Sequence, residues 1–500
     1  MLTRLRVKGF KSLVDVDVRF GPFTCIAGAN GVGKSNLFDA IRFLSALADN
    51  TLIDAAKQVR YEGERSPDIR SLFTRYGERR VNEMSFEAEM IVPKIGVDRL
   101  GQTAEAKPTF LRYRLVLGYR EDGISLLQGG LRILEEELTY IPKGEAAEHL
   151  GFPHSAKAWR ESVLEGRRTS PFISTSTEAK IENGMEERPT YINIHQEGTG
   201  GNNRKLLAER LPRTVLSESN AAESPTAAVA RFEMLSWRLL QLEPAALRRS
   251  DHFTDPSQID LDGSHLPHAL FHRAQEARAA ALEDEDAAAA EARVYAEIAG
   301  RLAELLTDVR EVRIERDDRR ELLTLEVAGR DGAFHPARSL SDGTLRFLAL
   351  AVLEASSEGG LLCLEEPENG IHPARIEPML RLLQDIATDT EEAVGPDNPL
   401  RQVVINTHSP SVVKLVPDHC LLVADRERQM VSEGLHVAGS SFLPLEGTWR
   451  VKGKLSQRSV PKGRLMAYLN PVPLESDRNA KTVGRRVIDR EDVRQLLLPL

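Results

Sequence analysis

The sequence predicts an α/β fold: a mixed central sheet carrying a phosphate-binding loop, an antiparallel β subdomain and a helical insertion. Three observations predict it. An apolar run, a glycine-rich loop and a helical pattern follow one another in FTCIAGANGVGKSNLFDAIRFL, residues 23–44. Apolar and charged residues alternate with period two in several early segments. Two later apolar runs end abruptly in polar residues, as GLLCLEEPE and RQVVINTHSP.

Taken in order, Leu5 and Val7, then Val14, Val16, Val18 and Phe20, alternate with charged residues, which predicts two half-buried strands joined around Gly9 to Ser12. Residues 23–27 read as a buried strand, and Leu37, Ile41 and Leu44 recur at helical spacing. Residues 82–92 and 109–119 alternate again. From about 140 to 225 the chain is polar and rich in Gly, Ser, Thr and Pro, which predicts surface loops with short helices. Residues 226–243 and 266–309 read as helical. In the second stretch Val294, Ile298, Leu302, Leu305 and Val309 form one stripe, and the acidic EDED at 283–286 marks a turn with an Asp capping the next helix. Two strands around Asp317 and Asp318 follow, then a helix opened by SLSDGT, then the two apolar strands. This divides the chain into an N-terminal lobe (1–140), a loop and helical insertion (141–309), a C-terminal lobe (310–426) and a tail of mixed strand and loop (427–500).

Residues 28–35, GANGVGKS, fit the pattern GxxxxGK[ST]. Glycines there admit left-handed backbone angles, so successive N–H groups can turn toward phosphate oxygens. The helix that follows adds the positive end of its dipole. The motif makes Asn30, Gly31, Gly33, Lys34, Ser35 and Asn36 the nucleotide contacts. Lys34 reaches the β- and γ-phosphates, and the Ser35 hydroxyl ligates Mg²⁺. A chance glycine loop would need both the preceding strand and the following helix to be accidents.

Glu365 and Glu366 stand side by side at the end of an apolar strand. Side chains alternate along a strand, so the two acids point differently. Glu365 can approach the Mg²⁺ shell, while Glu366 can orient or deprotonate an attacking water. His408, at the tip of VVINTHSP, can bridge the γ-phosphate to that water. A lone His is usually structural; its place at a strand end beside the acids favours a role in the site.

GANGVGKSN, LSDGTLRFLAL, LLCLEEPENGIHP and VVINTHSP, in this order, resemble the ABC-like branch of P-loop ATPases, which includes the OLD, RecF and SMC relatives and is often described as AAA-type. The opening LRVKGFKSLVDVDVRF is similar to that group's first strands. The resemblance covers residues 1–50 and 310–425 and implies an ABC-type head that binds ATP with Mg²⁺. It implies that Ser341 and the Gly343 N–H cap the γ-phosphate held by a second subunit, making a homodimer with two shared sites. Lys11, in GFKS, matches a basic position near the nucleotide, and Asn369 and His372 fall where the group's intersubunit loop lies. The chain departs from the pattern in three ways. Glu365 replaces the usual Asp, the signature reads SDGT, which leaves Asp342 expected to point away from phosphate, and the glutamine of the Q-loop has only Gln196 as a candidate. After His408 there is no DxD pair, so the Toprim nuclease domain of the OLD relatives is not expected.

Composition bounds the alternatives. A net charge of −9 and a pI of about 5.9 confine any nucleic-acid contact to a local patch. The run 450–464 is basic, and a solvated tail is its plainer reading. DLDGSHLPH, residues 260–268, reads as a turn and helix start rather than a metal site. No signal-peptide pattern and no bilayer-length apolar run occur, and Cys25, Cys363 and Cys420 lie in apolar runs as buried thiols, so a cytoplasmic protein is expected. The expected function is an ATPase that works as an ATP-dependent dimeric switch in DNA repair or antiviral defence, with DNA and a separate effector nuclease as partners. A nucleotide-dependent structural clamp with slow hydrolysis is the alternative, and a transporter ATPase subunit a third reading.

Overall fold

In the computed structural model the glycine loop sits where two sheets meet. The structure describes residues 1–469 apart from 60–67, 99, 121–129, 169, 183–184, 198–203, 282–285, 307, 357–358, 433–434 and 453–456. The central sheet has six strands in the order Arg238–Leu240, Gly360–Glu365, Arg401–Thr407, Phe23–Ala27, Leu421–Ser432 and Leu435–Pro444. The first five run parallel and the last turns back antiparallel, so the sheet is mixed. Its central strands are buried on both faces, which is why they read as unbroken apolar runs.

The second sheet is antiparallel throughout and has eight strands. Leu2–Phe10 and Leu13–Arg19 form one edge, joined through a tight turn with Gly9 and Lys11 at positive φ. Glu83–Ile91, Phe110–Tyr119 and Leu131–Tyr140 follow. The helix Lys34–Leu47 lies against both sheets: its apolar face shares one core with them, and Phe43 stacks on Phe10 (ring centroids 5.9 Å apart) and tilts against Phe86 (5.6 Å). The Gln402 side chain stitches the sheets together, accepting from Leu2 N–H (2.9 Å) and donating to Leu2 O (2.7 Å) and Gly21 O (2.9 Å).

Three expectations are corrected. Residues 140–225 hold more than the expected loops and short helices: Ile173–Thr177, Thr190–Ile194 and Arg204–Leu207 extend the antiparallel sheet. Their apolar positions are few because only part of that end of the sheet is covered. The helix expected over 226–243 is Pro225–Leu235, after which Arg238–Leu240 joins the central sheet beside Gly360–Glu365. The boundary at 426 falls inside the strand Leu421–Ser432, so the start of the tail belongs to the central sheet.

The helices Leu266–Ala279 and Ala287–Leu305 fall within the expected 266–309 stretch, the second carrying the stripe as far as Leu305 and ending before Val309, with Asp286 accepting from Ala288 N–H (3.0 Å) as an N-cap. Most of the EDED turn, like part of the basic run 450–464, lies outside the described residues. By internal contacts, residues 1–460 form one unit and 461–500 another, in which the helix Lys462–Leu469 is described.

Glu89 is fully enclosed within the antiparallel sheet. It accepts from Arg4 Nη1 (3.1 Å) and Arg112 Nη2 (3.1 Å), with His149 Nδ1 at 2.7 Å. Burial alone would raise its pKa, but these partners outweigh burial and hold it at about 2. A carboxyl depressed in this way stabilises the fold above its unfolded value of 4.5, and the contribution is lost as pH falls toward 2. Glu89→Gln is therefore expected to lower the melting temperature at pH 7, with the gap to wild type closing between pH 4.5 and 2, as a thermal-unfolding pH series would record.

Candidate nucleotide site

Parallel register brings the functional residues to one edge of the central sheet. Ala27 pairs with Thr407, and Glu365 pairs with Asn406, so three strands end together at their carboxyl side. In open α/β sheets that edge is where ligands bind. Gly28 N–H closes the arrangement by donating to Thr407 O (3.2 Å).

The glycine loop leaves Ala27 and turns into the helix Lys34–Leu47 through Gly31 (φ 77°) and Gly33 (φ 101°), both left-handed. Gly33 is the helix N-cap and no side chain caps the N–H groups behind it, which leaves them for an anion. A Cβ on Gly33 would collide with Ser440 Oγ and stand 2.6 Å from Ser12 Oγ. Those hydroxyls bond each other (2.6 Å), and Asn36 Nδ2 donates to Ser12 Oγ (2.7 Å), so the loop is braced from two distant segments. Lys34 is buried and its Nζ donates to Gly28 O (2.6 Å) and Ala29 O (3.0 Å). Burial lowers its pKa, against the pull of Glu366, Glu368 and Glu365.

Glu366 is a non-glycine residue at positive φ (45°), and its N–H is held by Asn406 O (3.1 Å) and Asn406 Oδ1 (3.2 Å). This strained backbone turns the carboxylate aside from the strand direction. Glu366 Oε2 accepts from Asn369 Nδ2 (2.8 Å), and Oε1 lies 2.8 Å from His408 Nδ1. Burial would raise the Glu366 pKa; the bonds from Asn369 and His408, with the charges of His408 and Lys34, outweigh it and hold the group below the ordinary carboxylate value. The carboxylate is therefore ionised at neutral pH and able to accept a proton. Just beyond, buried Glu368 bonds Thr407 Oγ1, the residue before His408.

One cavity of about 510 Å³ gathers these groups. The six loop residues Asn30, Gly31, Gly33, Lys34, Ser35 and Asn36 line it, and so do Glu365, Glu366, Asn369 and Asn406. The Ser35 hydroxyl and the Glu365 carboxylate are hard oxygen donors in the wall shared with Lys34, a set that fits a divalent cation such as Mg²⁺. His408 reaches the site through Glu366. Ser341 and Gly343 are not among the lining residues: Ser341 is exposed at the N-cap of Asp342–Ala355, its Oγ accepting from Thr344 N–H (3.2 Å). Asp342 turns to Arg248 (2.5 Å). Lys11 likewise does not line the cavity and pairs with Asp39 (2.7 Å) on the loop's own helix.

Gln196 follows a strand of the antiparallel sheet and does not line the cavity, whereas Gln241 does, directly after Arg238–Leu240. Reading 226–243 as one helix hid it. The signal was a short apolar run, Leu239 and Leu240, ending in a glutamine. Arg346 also lines the cavity; it falls inside the LSDGTLRFLAL segment, where the resemblance marks only Ser341, Asp342 and Gly343. In the 260–268 stretch, Asp262 closes a turn by accepting from Ser264 N–H (2.9 Å), while His265 lies 3.4 Å from Asp251 and 4.0 Å from Asp255.

A phosphate loop leaving one parallel strand, a histidine at the tip of the neighbouring strand and acids at the end of the next define an ABC-type P-loop head. Within that class the chain is similar to the RecF, SMC and OLD branch. Residues 195–414 match the family described as "AAA domain, putative AbiEii toxin, Type IV TA system", and residues 1–60 match the RecF/RecN/SMC N-terminal domain. The DNA replication and repair protein RecF of Paenarthrobacter aurescens is 28% identical over 184 residues, 35% of this chain and 43% of that protein. The chain thus spans under half the length of that relative. The OLD nuclease of Thermus scotoductus is 51% identical over 41 residues, 8% of each protein. Among solved structures, an SMC head bound to the C-terminal winged-helix domain of ScpA aligns over 89% of this chain and 98% of its own, with 14% identity and a TM-score of 0.43.

Gly33→Ala is expected to weaken nucleotide binding by at least about tenfold, because the new methyl meets the two serine hydroxyls and the φ is strained. Titration of a fluorescent ATP analogue against both proteins checks this.

Proposed function

We propose that this chain is an ATP-binding and ATP-hydrolysing head that works as an ATP-dependent dimeric switch. The observation that carries the reading is that Glu366, hydrogen-bonded to His408, lines the same edge cavity as Lys34 and Ser35. The loop N–H groups and the helix N-terminus hold the phosphates, with Lys34 released from the Gly28 and Ala29 carbonyls to the β- and γ-oxygens. Mg²⁺ held by Ser35 and Glu365 supplies charge neutralisation on those oxygens when bound. Glu366, ionised and fixed by Asn369 and His408, orients water and accepts its proton. His408 holds Glu366 in place.

Ser341 is consistent with the dimeric part of the reading: it is exposed at a helix N-terminus and absent from the cavity wall of its own chain, which leaves that helix start open to a phosphate from a second copy. The similarity to a DNA replication and repair protein, RecF, and to an OLD nuclease supports DNA-related work; we extend this to repair or antiviral defence with a separate effector. A clamp with slow hydrolysis is the second reading, favoured by the braced loop, and turnover separates the two. Among the described residues no helix is long and apolar enough to cross a membrane.

Glu366→Gln is expected to lower steady-state ATP turnover by about 10²–10⁴-fold and to accumulate an ATP-bound dimer on light scattering. Turnover equal to wild type removes the role of Glu366. A mutant that binds ATP without hydrolysing it and stays monomeric removes the shared site.

A further inference from the structure

Arg346 stands in the helix Asp342–Ala355, one turn past the exposed tip at Ser341. The residue is only 9% exposed, yet it contributes to the wall of the nucleotide cavity. Its Nε is enclosed and has no hydrogen-bond partner. Three carboxylates act on it from nearby: Asp342, Glu368 and Glu243. Among the described residues Arg346 closes an ion pair with none of them. Two are engaged elsewhere, Asp342 by Arg248 and Glu368 by Thr407.

A guanidinium keeps its charge throughout the physiological range, and enclosing one without a partner is costly. Proteins tolerate that cost where an anion completes the site. The cavity that Arg346 faces also contains the phosphate loop. Within it, Arg346 belongs to the acid end: Glu368 acts on both Arg346 and Lys34, and Lys34 is the residue that reaches for the outer phosphates.

We infer that Arg346 contacts the terminal phosphate of a nucleoside triphosphate bound by its own chain, and so couples that phosphate to the helix whose tip at Ser341 faces a second copy. This rests on the nucleotide-binding reading above and deepens it. The planar fork of Arg suits two phosphate oxygens at once. A diphosphate leaves the fork empty. The signature helix is then drawn toward the cradle only in the triphosphate state, and the surface offered to the partner changes with it.

The test uses the full chain with Mg²⁺ and compares the affinities of ATPγS and ADP by calorimetry in wild type, Arg346→Ala, Arg346→Gln and Arg346→Lys. Melting temperatures are taken without nucleotide. Expected are a loss of at least about tenfold for ATPγS in the Ala and Gln variants, ADP affinity within about twofold of wild type, and partial rescue by Lys. The nucleotide-free melting temperature should hold or rise, since an unpaired enclosed charge is removed. Equal losses for the two nucleotides, no loss for either, or a lowered melting temperature with unchanged selectivity overturns the inference. Wild type that binds neither nucleotide overturns instead the reading on which the inference rests. The Gln variant carries the measurement should the Ala variant fail to fold.

Discussion

Parallel pairing of three strands in one register is the constraint on which the site depends. With Ala27 opposite Thr407 and Glu365 opposite Asn406, the loop, the acids and the histidine emerge at one edge without any side chain having to reach for another. A slip of one residue in the second pairing would turn Glu365 to the other face and separate Glu366 from His408, and a slip in the first would move the loop away from both. The register is secured from outside the sheet. Gln402 bonds the chain at Leu2 and Gly21, far from the cavity, and fixes how far the histidine strand advances.

The edge is also where local preferences are overridden. Glu366 holds a left-handed backbone that glutamate rarely adopts, and two oxygens of Asn406 hold it there. Gly33 adopts a similar conformation because two serine hydroxyls occupy the space a side chain would need. At this edge the strain falls on Glu366, since glycine takes a positive φ at little cost, while the strands behind are regular and buried.

Much of this was legible in the sequence, and the limits have physical causes. Residues 23–27, 360–365 and 401–407 are buried on both faces, so their apolar runs were unambiguous. The loop, Glu365, Glu366 and His408 follow directly from where those runs stop. Ile173–Thr177 and Thr190–Ile194 escaped because they are rich in Ser, Thr and Asn and only partly covered, so alternation was weak. Gln241 escaped because its strand has three residues, too few to show a period. Arg346 sits in a helix that is apolar almost all round, where one charge reads as an exposed face; only the fold shows that this face looks into the cleft.

The helix that begins at Lys34 carries Phe43, which packs against Phe10 and Phe86 of the eight-stranded sheet. Aromatic rings in a dense core shift as a block rather than yielding one by one. A tilt imposed at the phosphate end of this helix cannot fade along its length. It meets the packed rings of Phe10 and Phe86, so the innermost turns of the cradle's helix and the eight-stranded sheet share one foundation.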